Sequence, residues 1–196
     1  AAEGKSTLAA NTAISLASRG VSVLFIDLDL RRPVQSEMLG LSVKQKNELG
    51  TLLSESAAPE KILSAAVTDP STGLHSLLST KSYTDVIELL ASDQLARVVA
   101  LAREQYDYVI IDSPPFGIVG DVMTLASLVD SVMIMCCPDR THFKPIQHAA
   151  RSLGESGATV IGIVVNDVEM GSAGGAFSQS GHSYGYGYGG YGGYRA

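Results

Sequence analysis

Four short apolar segments, separated by stretches with helical periodicity, constrain the fold of this chain most strongly. They cover residues 21–26, 108–111, 131–137 and 159–165. A strand that is apolar at almost every position is buried on both faces, as in a parallel sheet that helices cover on each side. The alternation therefore predicts an α/β protein with a mostly parallel sheet and helices on both faces.

Helical periodicity places the helices between and after these strands. We predict a further strand over 73–78 and helices over 6–18, 49–56, 60–65, 84–91, 93–105 and 144–154. From about residue 169 the composition changes to Gly, Ser and Tyr. We therefore expect one domain over 1–168, followed by a flexible Gly/Tyr-rich tail over 169–196.

The net charge restricts the partners of this chain. Its 196 residues carry a formal charge of -6 at pH 7. Nucleic-acid binding normally needs a concentrated basic surface, because Lys and Arg must neutralise the phosphates. We therefore expect no nucleic-acid partner.

The segment Gly4-Lys5-Ser6-Thr7 opens the first predicted helix and matches the end of a phosphate-binding P-loop. Glycine lets the backbone approach phosphates, and the helix N-terminus offers free N–H groups. We expect Lys5 to reach the β- and γ-phosphates and Ser6 to bind Mg²⁺. The alternative is a chance match of four residues at a helix start.

The beginning of this motif would lie before residue 1. A parallel sheet of this kind is also expected to have a strand in front of its phosphate-binding loop. We therefore expect the sequence to be a fragment of a larger protein, with that strand and the start of the P-loop upstream.

Two aspartates, Asp27 and Asp29, follow the first predicted strand. On extended backbone, residues i and i+2 point the same way, and ligands bind at the carboxyl ends of strands in open α/β sheets. Such a pair can hold Mg²⁺ through water and accept a proton from an incoming hydroxyl. The alternative is that one of the two caps the following segment.

A third acidic residue, Asp112, ends the apolar run over 108–111 in the manner of a Walker B strand. Such an aspartate binds Mg²⁺, usually through a water, beside the P-loop hydroxyl of Ser6. Three phosphate and metal motifs therefore occur in order, each at an expected strand end or helix start.

The last thirteen residues, 184–196, are unusual because they consist almost entirely of tyrosine and glycine. Five of the eight tyrosines of the chain are Tyr184, Tyr186, Tyr188, Tyr191 and Tyr194. Glycine contributes no side chain to a core and loses the most backbone entropy on ordering. The tail therefore indicates a mobile segment that presents hydroxyl groups.

Together these segments resemble the bacterial tyrosine kinases that act with exopolysaccharide and capsule export. The resemblance rests on the Walker A motif over 3–7, an additional Walker A′ motif over 25–31, the Walker B motif over 109–115 and the clustered tyrosines. The Walker set is shared with the deviant P-loop ATPases of the MinD and ParA type. The tyrosine tail distinguishes the kinases from those ATPases.

The resemblance implies a P-loop NTPase fold that uses ATP and Mg²⁺. It implies catalytic roles for Lys5, Asp27, Asp29 and Asp112, and metal binding by Ser6, Asp27 and Asp112. The expected nucleotide contacts are Glu3, Gly4, Lys5, Ser6, Thr7, Arg31 and Asn166. In this set Asn166 is expected near the adenine, while Arg31 is expected at a phosphate or a neighbouring subunit, with a surface ion pair as its alternative.

The resemblance also implies a cellular setting. The kinase domain is expected on the cytoplasmic side of the bacterial inner membrane, attached to a fused or separate transmembrane and periplasmic co-polymerase region. Its copies are expected to assemble into a ring, typically an octamer, and to phosphorylate the tail tyrosines of a neighbour in trans. A cognate tyrosine phosphatase would reverse the reaction, and the cycle would regulate polymer synthesis and export.

Two other function classes stay open from the sequence. One is a MinD/ParA-like ATPase switch in which nucleotide drives dimerisation and the tail is incidental. The other is a non-catalytic assembly module in which the Gly/Tyr repeats mediate weak self-association.

Overall fold

The computed structural model describes residues 3–116, 119–138 and 141–167, with the backbone alone described at 119–121. In these ranges helices and strands alternate along the chain. The helices are α1 (Lys5–Ala17), α2 (Gln35–Leu39), α3 (Leu49–Ser54), α4 (Pro59–Ser64), α5 (Val86–Leu90), α6 (Asp93–Gln105), α7 (Val119–Ala126) and α8 (Phe143–Glu155), with a 3₁₀ turn over Gln45–Asn47. The strands are β1 (Val23–Asp27), β2 (Val67–Thr68), β3 (His75–Leu77), β4 (Tyr108–Asp112), β5 (Val132–Cys136) and β6 (Val160–Val165).

The described strands form two sheets. The larger sheet has the order β2-β3-β1-β4, in which β1 pairs in parallel with β3 and β4, while the two-residue strand β2 is antiparallel to β3. The smaller sheet is the parallel pair β5-β6. The predicted α/β class with a mostly parallel sheet is confirmed, although the described strands do not form one continuous sheet.

Strand β1 divides the core because all five of its residues are buried. Alternate side chains of a strand point to opposite faces, so Val23 and Phe25 pack on α1, where Ala10, Ala13 and Ala17 are buried. Leu24 and Ile26 face the opposite cluster, built from helices α3 to α6. Helices therefore cover both faces of this sheet, as predicted.

Local sequence explains where several helices begin. Helix α1 starts directly after Gly4, whose φ of 90° lies in the left-handed region that glycine adopts readily. Helix α4 has Pro59 in its first turn, where a missing N–H costs nothing. Helix α6 is capped by Ser92, whose hydroxyl accepts a hydrogen bond from the Leu95 N–H.

The two sheets are separated by an open cavity of about 800 Å³. The side chains along it come from β4 and β5, from α1 on one side and from α6 and α7 on the other, and they are mostly apolar. Within the described strands, the β4 edge away from β1 and the β5 edge away from β6 have no strand partner. None of the helices in the described ranges is long and apolar enough to cross a membrane.

Candidate active site

The site lies at the carboxyl ends of β1 and β4. In their parallel register Asp27 stands opposite Asp112, and both are almost fully buried. The Leu28 N–H donates to the Asp112 carbonyl at 2.9 Å, which continues the pairing beyond the strand ends. The two predicted acidic residues are therefore neighbours across the ladder, although 85 positions separate them in sequence (112 less 27).

The P-loop residues meet this pair from helix α1. The Lys5 ammonium forms an ion pair with Asp112 Oδ1 and lies 3.4 Å from Ser6 Oγ. Gly4 accepts the first helical hydrogen bond, from the Leu8 N–H at 2.9 Å. The predicted convergence of Lys5, Ser6 and Asp112 is therefore present, with the free N–H groups of the helix start beside it.

Asp27 is a buried carboxyl whose surroundings favour the protonated form. Burial raises the pKa of Asp27 to about 7, and the nearby Asp112 carboxylate raises it as well. Backbone N–H groups of Gln35 and Asp29 donate to its two oxygens, at 3.4 and 3.2 Å, and oppose this rise. A group that titrates near neutral pH is suited to changing its charge when a cation or substrate arrives.

Asp29 is more accessible than Asp27 and belongs to the same site. Burial raises the pKa of Asp29, while the Lys5 charge lowers it, which places Asp29 within the field of that ammonium. Its Oδ1 accepts a hydrogen bond from the Arg32 N–H at 3.2 Å. Arg31 is half-buried in the same turn.

A glutamine that the sequence reasoning missed stands at the centre of the site. The carboxamide nitrogen of Gln35 donates to Asp112 Oδ2 at 2.6 Å and to the Ser6 carbonyl at 3.1 Å. Gln35 is fully buried at the start of α2. No Walker motif contains Gln35, and the five residues of α2 are too few for a periodic pattern to mark its buried side.

The other end of the P-loop is fixed to β6. The Asn166 side-chain amide donates to the Glu3 carbonyl at 2.9 Å, and the Asn166 backbone N–H donates to the Cys136 carbonyl at 2.9 Å. The Glu3 carboxylate accepts a hydrogen bond from the Thr141 hydroxyl at 2.8 Å. Residues 3 and 166 therefore connect the P-loop to the smaller sheet.

These residues fit a nucleotide with Mg²⁺. A Cβ on Gly4 would lie 2.4 Å from Asn166 Nδ2, and the Gly4 φ of 90° is one that residues with side chains rarely adopt, so glycine is favoured here. The hydroxyl of Ser6 and the carboxylates of Asp27 and Asp112 are the hard oxygen donors that Mg²⁺ prefers. The side chain of Thr7 is exposed beside them.

Two parts of the sequence-based prediction are not addressed by this geometry. The five tail tyrosines lie outside the described residues, as does the predicted boundary at 168/169. The predicted adenine contact of Asn166 and phosphate contact of Arg31 stay predictions.

Comparison with known proteins agrees with this geometry. A family model for ParA, described as an NUBPL iron-transfer P-loop NTPase, matches residues 3–173. The tyrosine-protein kinase CpsD of Streptococcus pneumoniae serotype 4 is 31% identical over 171 residues, which cover 86% of this chain and 72% of CpsD. The chain belongs to the bacterial tyrosine kinases. Within the ParA-type P-loop NTPases, it is thus a protein-tyrosine kinase domain of α/β architecture.

Two further relatives place this kinase domain among longer proteins and solved folds. The crystal structure of the VpsO kinase domain superposes with a TM-score of 0.75 at 30% identity, covering 85% of this chain and 80% of that one. The succinoglycan biosynthesis transport protein ExoP of Rhizobium meliloti is 28% identical over 177 residues, which cover 88% of this chain and 22% of ExoP. In ExoP the similar domain is a small part of a much larger polypeptide.

Proposed function

We propose that this kinase domain uses ATP and Mg²⁺ to phosphorylate its C-terminal tyrosines in trans, between neighbouring copies, and thereby regulates capsule or exopolysaccharide synthesis. The observation that carries the proposal is the convergence of Lys5, Ser6, Asp27 and Asp112 at one sheet end, on a chain whose last residues are a tyrosine cluster. The names of the relatives CpsD and ExoP support the polysaccharide setting.

Each residue of the site has a distinct task in this reaction. ATP would supply the phosphoryl group, and Mg²⁺ would offset the charge that builds on it. Lys5 exchanges its partner Asp112 for the phosphates, and the helix N-terminus behind it binds phosphate oxygens through N–H groups. Ser6, Asp27 and Asp112 hold the cation, directly or through water.

The group transfer needs a proton acceptor for the tyrosine hydroxyl. The tyrosine oxygen bonds to the γ-phosphorus, the bond from this phosphorus to the β–γ bridging oxygen breaks, and ADP leaves with that electron pair. Asp27 is fully buried and both of its oxygens accept backbone hydrogen bonds. Asp29 is the more accessible carboxylate, so we assign the proton acceptor to Asp29 and the metal to Asp27.

The tail tyrosines could be phosphorylated by their own chain or by a neighbouring copy. Asn166 contacts the P-loop at Glu3, and roughly 18 residues separate Asn166 from Tyr184, a reach of about 60 Å at most. The tail is therefore long enough to reach its own site or a neighbour's. The resemblance to ring-forming kinases selects the neighbour, and each phosphate would add roughly -1.5 to -2 charge to a negatively charged ring and loosen it.

The larger assembly completes the proposal. We place the domain at the cytoplasmic face of the inner membrane, beside a co-polymerase region that is fused to it or separate, in a ring of copies. A cognate tyrosine phosphatase would return the tail to its unmodified state. The large size of ExoP relative to its matching domain supports such a neighbouring region.

Phosphotyrosine analysis tests the catalytic part of the proposal. We expect the purified protein to gain tail phosphotyrosine on incubation with ATP and Mg²⁺, and Lys5→Met to lose nearly all of it. Lys44→Met, at an exposed lysine away from the site, is the matched control and should keep the wild-type signal. Equal phosphotyrosine in Lys5→Met and the wild type would overturn the assignment.

A mixing experiment tests transfer between copies. One full-length chain carries Lys5→Met with an intact tail, and the other carries an intact site with Phe at all five tail tyrosines. We expect phosphate on the tail of the Lys5→Met chain. Its absence, together with normal phosphorylation of the unmixed wild type, would show that each chain modifies itself.

The match to the ParA family model favours one alternative, a nucleotide-driven ATPase switch without kinase activity. Such a switch would hydrolyse ATP without any phosphate reaching the tail. Measuring released phosphate beside tail phosphotyrosine in the same reaction separates the two functions.

A further inference from the structure

The two oxygens of the Asp112 carboxylate have different partners. Oδ1 pairs with the Lys5 ammonium, while Oδ2 accepts a hydrogen bond from the Gln35 carboxamide at 2.6 Å. Asp112 itself is almost fully shielded from solvent. The carboxylate is therefore held on both sides by donors from two different segments of the chain.

The orientation of the Gln35 carboxamide follows from the chemistry of its neighbours. Asp112 Oδ2 and the Ser6 carbonyl are both acceptors, so only the nitrogen end of the amide can face them. The same orientation leaves the Gln35 Oε1 atom buried without a hydrogen-bond partner. A buried unpaired acceptor costs free energy, so the Gln35 side chain stabilises the site through the hydrogen bonds that its nitrogen donates to Asp112 and Ser6.

The backbone of Gln35 contacts the Walker A′ segment as well. Its N–H donates a hydrogen bond to Asp27 Oδ2 at 3.4 Å. One residue thus contacts the Walker A segment at Ser6, the strand β1 end at Asp27 and the strand β4 end at Asp112. These three residues are the oxygen donors that fit Mg²⁺ in this site.

We propose that Gln35 is the positioning residue of the magnesium site, and that it keeps Asp112 Oδ2 fixed while Oδ1 is exchangeable. In the structure Lys5 pairs with Oδ1. When Lys5 turns to the phosphates of a bound nucleotide, Oδ1 becomes free for the cation or its water, and Gln35 prevents the carboxylate from rotating away. The inference rests on the proposed nucleotide and Mg²⁺ site and adds to it a residue that no Walker motif contains.

A purely structural role for Gln35 makes a different prediction. If Gln35 only filled space between α2 and β4, an apolar side chain of similar size would replace it, and the unpaired Oε1 would no longer cost anything. If it positions Asp112, such a replacement leaves Oδ2 without its donor and weakens metal binding specifically. Residues that orient metal ligands typically change metal affinity by about 10- to 100-fold when they are replaced.

Nucleotide affinity with and without Mg²⁺ tests the inference without relying on kinase activity. The probe is a fluorescent N-methylanthraniloyl derivative of ADP, titrated against the full-length protein in MgCl₂ and again in EDTA. We expect Gln35→Met to reduce the affinity gained from Mg²⁺ by about tenfold or more, and to leave the affinity in EDTA within about twofold of the wild type. Gln45→Met, at an exposed glutamine, is the matched control and should change neither value.

A second variant separates hydrogen-bond donation from side-chain volume. Gln35→Glu keeps the size of the residue but replaces its donor by a second carboxylate, and it should lose at least as much Mg²⁺ dependence as Gln35→Met. Wild-type Mg²⁺ dependence in both variants would overturn the role of Gln35. A wild-type protein whose nucleotide affinity is itself insensitive to Mg²⁺ would overturn the proposed metal site together with this inference.

Discussion

Strands β1 and β6 are both apolar and parallel to a neighbour, yet their environments differ. All five residues of β1 are buried, whereas burial alternates along β6, where Ile161 is 60% exposed and Ile163 is 49% exposed. Strand β1 has a strand on each side and helices on both faces, while the β5-β6 pair stands across the cavity with one helix layer described. Asp27 and Asp112 therefore lie on the fully packed side of the molecule. The P-loop joins this side to the less enclosed β5-β6 sheet through the contact between Glu3 and Asn166.

Side-chain truncations in β1 and β6 should show the difference in burial between the two strands most strongly. Phe25→Ala removes a ring that is fully buried against α1, and we expect a loss of about 3–5 kcal/mol in the free energy of unfolding. Ile163→Ala should cost within about 0.5 kcal/mol, as exposed substitutions do. Urea unfolding of both variants gives the comparison, and similar losses would mean that another part of the protein covers β6 in solution.

The packed side of the molecule also contains Asp27, and burial disfavours the charged form of this carboxyl. Between the ordinary aspartate pKa of 3.8 and the value of about 7 for Asp27, the folded protein keeps a proton that the unfolded chain has released. Unfolding then releases a proton, so the stability contributed by protonated Asp27 is full at low pH and is lost as pH rises through this window.

We therefore expect Asp27→Asn to stabilise the nucleotide-free protein at pH 8, by up to about 4 kcal/mol. At pH 4 the variant and the wild type should be close to equal in stability. Thermal unfolding between pH 4 and pH 8 measures the difference, with Asp107→Asn at an exposed aspartate as the control. A stability difference that does not change with pH would contradict the prediction.

Filling the cavity between β4 and β5 should make the β5-β6 sheet as enclosed as the larger sheet. An extension of six alternating Val and Thr residues ahead of residue 1 could pair with the two open strand edges and lie between α1 and α7. We expect it to raise the melting temperature by about 4–8 °C, equivalent to roughly 2 kcal/mol for a domain of this size. An extension of the same length built from Gly, Ser and Pro is the control, and equal melting temperatures for both would argue against strand pairing at this cavity.

The smallest expected effect comes from a substitution in the P-loop, where Gly4 lies against Asn166. Gly4→Ala adopts a left-handed backbone at a cost of about 1–2 kcal/mol, and its Cβ would meet Asn166 Nδ2. We expect nucleotide affinity to fall at least tenfold, since about 1.4 kcal/mol corresponds to a factor of ten. Adding Asn166→Ala should recover part of this loss, because it removes the contact and leaves the backbone strain. No recovery would assign the whole effect to the backbone.

Much of this architecture was predictable because local patterns determine it. The apolar runs over 21–26, 108–111, 131–137 and 159–165 predicted β1, β4, β5 and β6, and helix α6 was predicted with the bounds it has in the structure. Helices α2 and α7 and strand β2 were missed. Helix α2 and strand β2 have five and two residues, which are too few for periodicity to appear. The break between the two sheets was also missed, because a sequence does not record which strand edges meet.

The residues of the site also differ in how far the sequence predicts them. Lys5, Ser6, Asp27 and Asp112 were predicted because strand ends and P-loops carry their ligands at fixed positions. Gln35 was not, since its contact with Asp112 joins residues 77 positions apart and involves no recurring spacing. Side-chain contacts of this kind arise from packing, and a single sequence contains no local signal for them.

The ion pair between Lys5 and Asp112 has a consequence for the order in which ligands enter. A cation arriving alone would compete with an ammonium group that already neutralises the carboxylate. A nucleotide offers Lys5 several negative oxygens at once, and so releases the carboxylate at the moment when a cation is needed. The Lys5–Asp112 pair therefore disfavours a cation that binds alone, and metal and nucleotide would be expected to enter together.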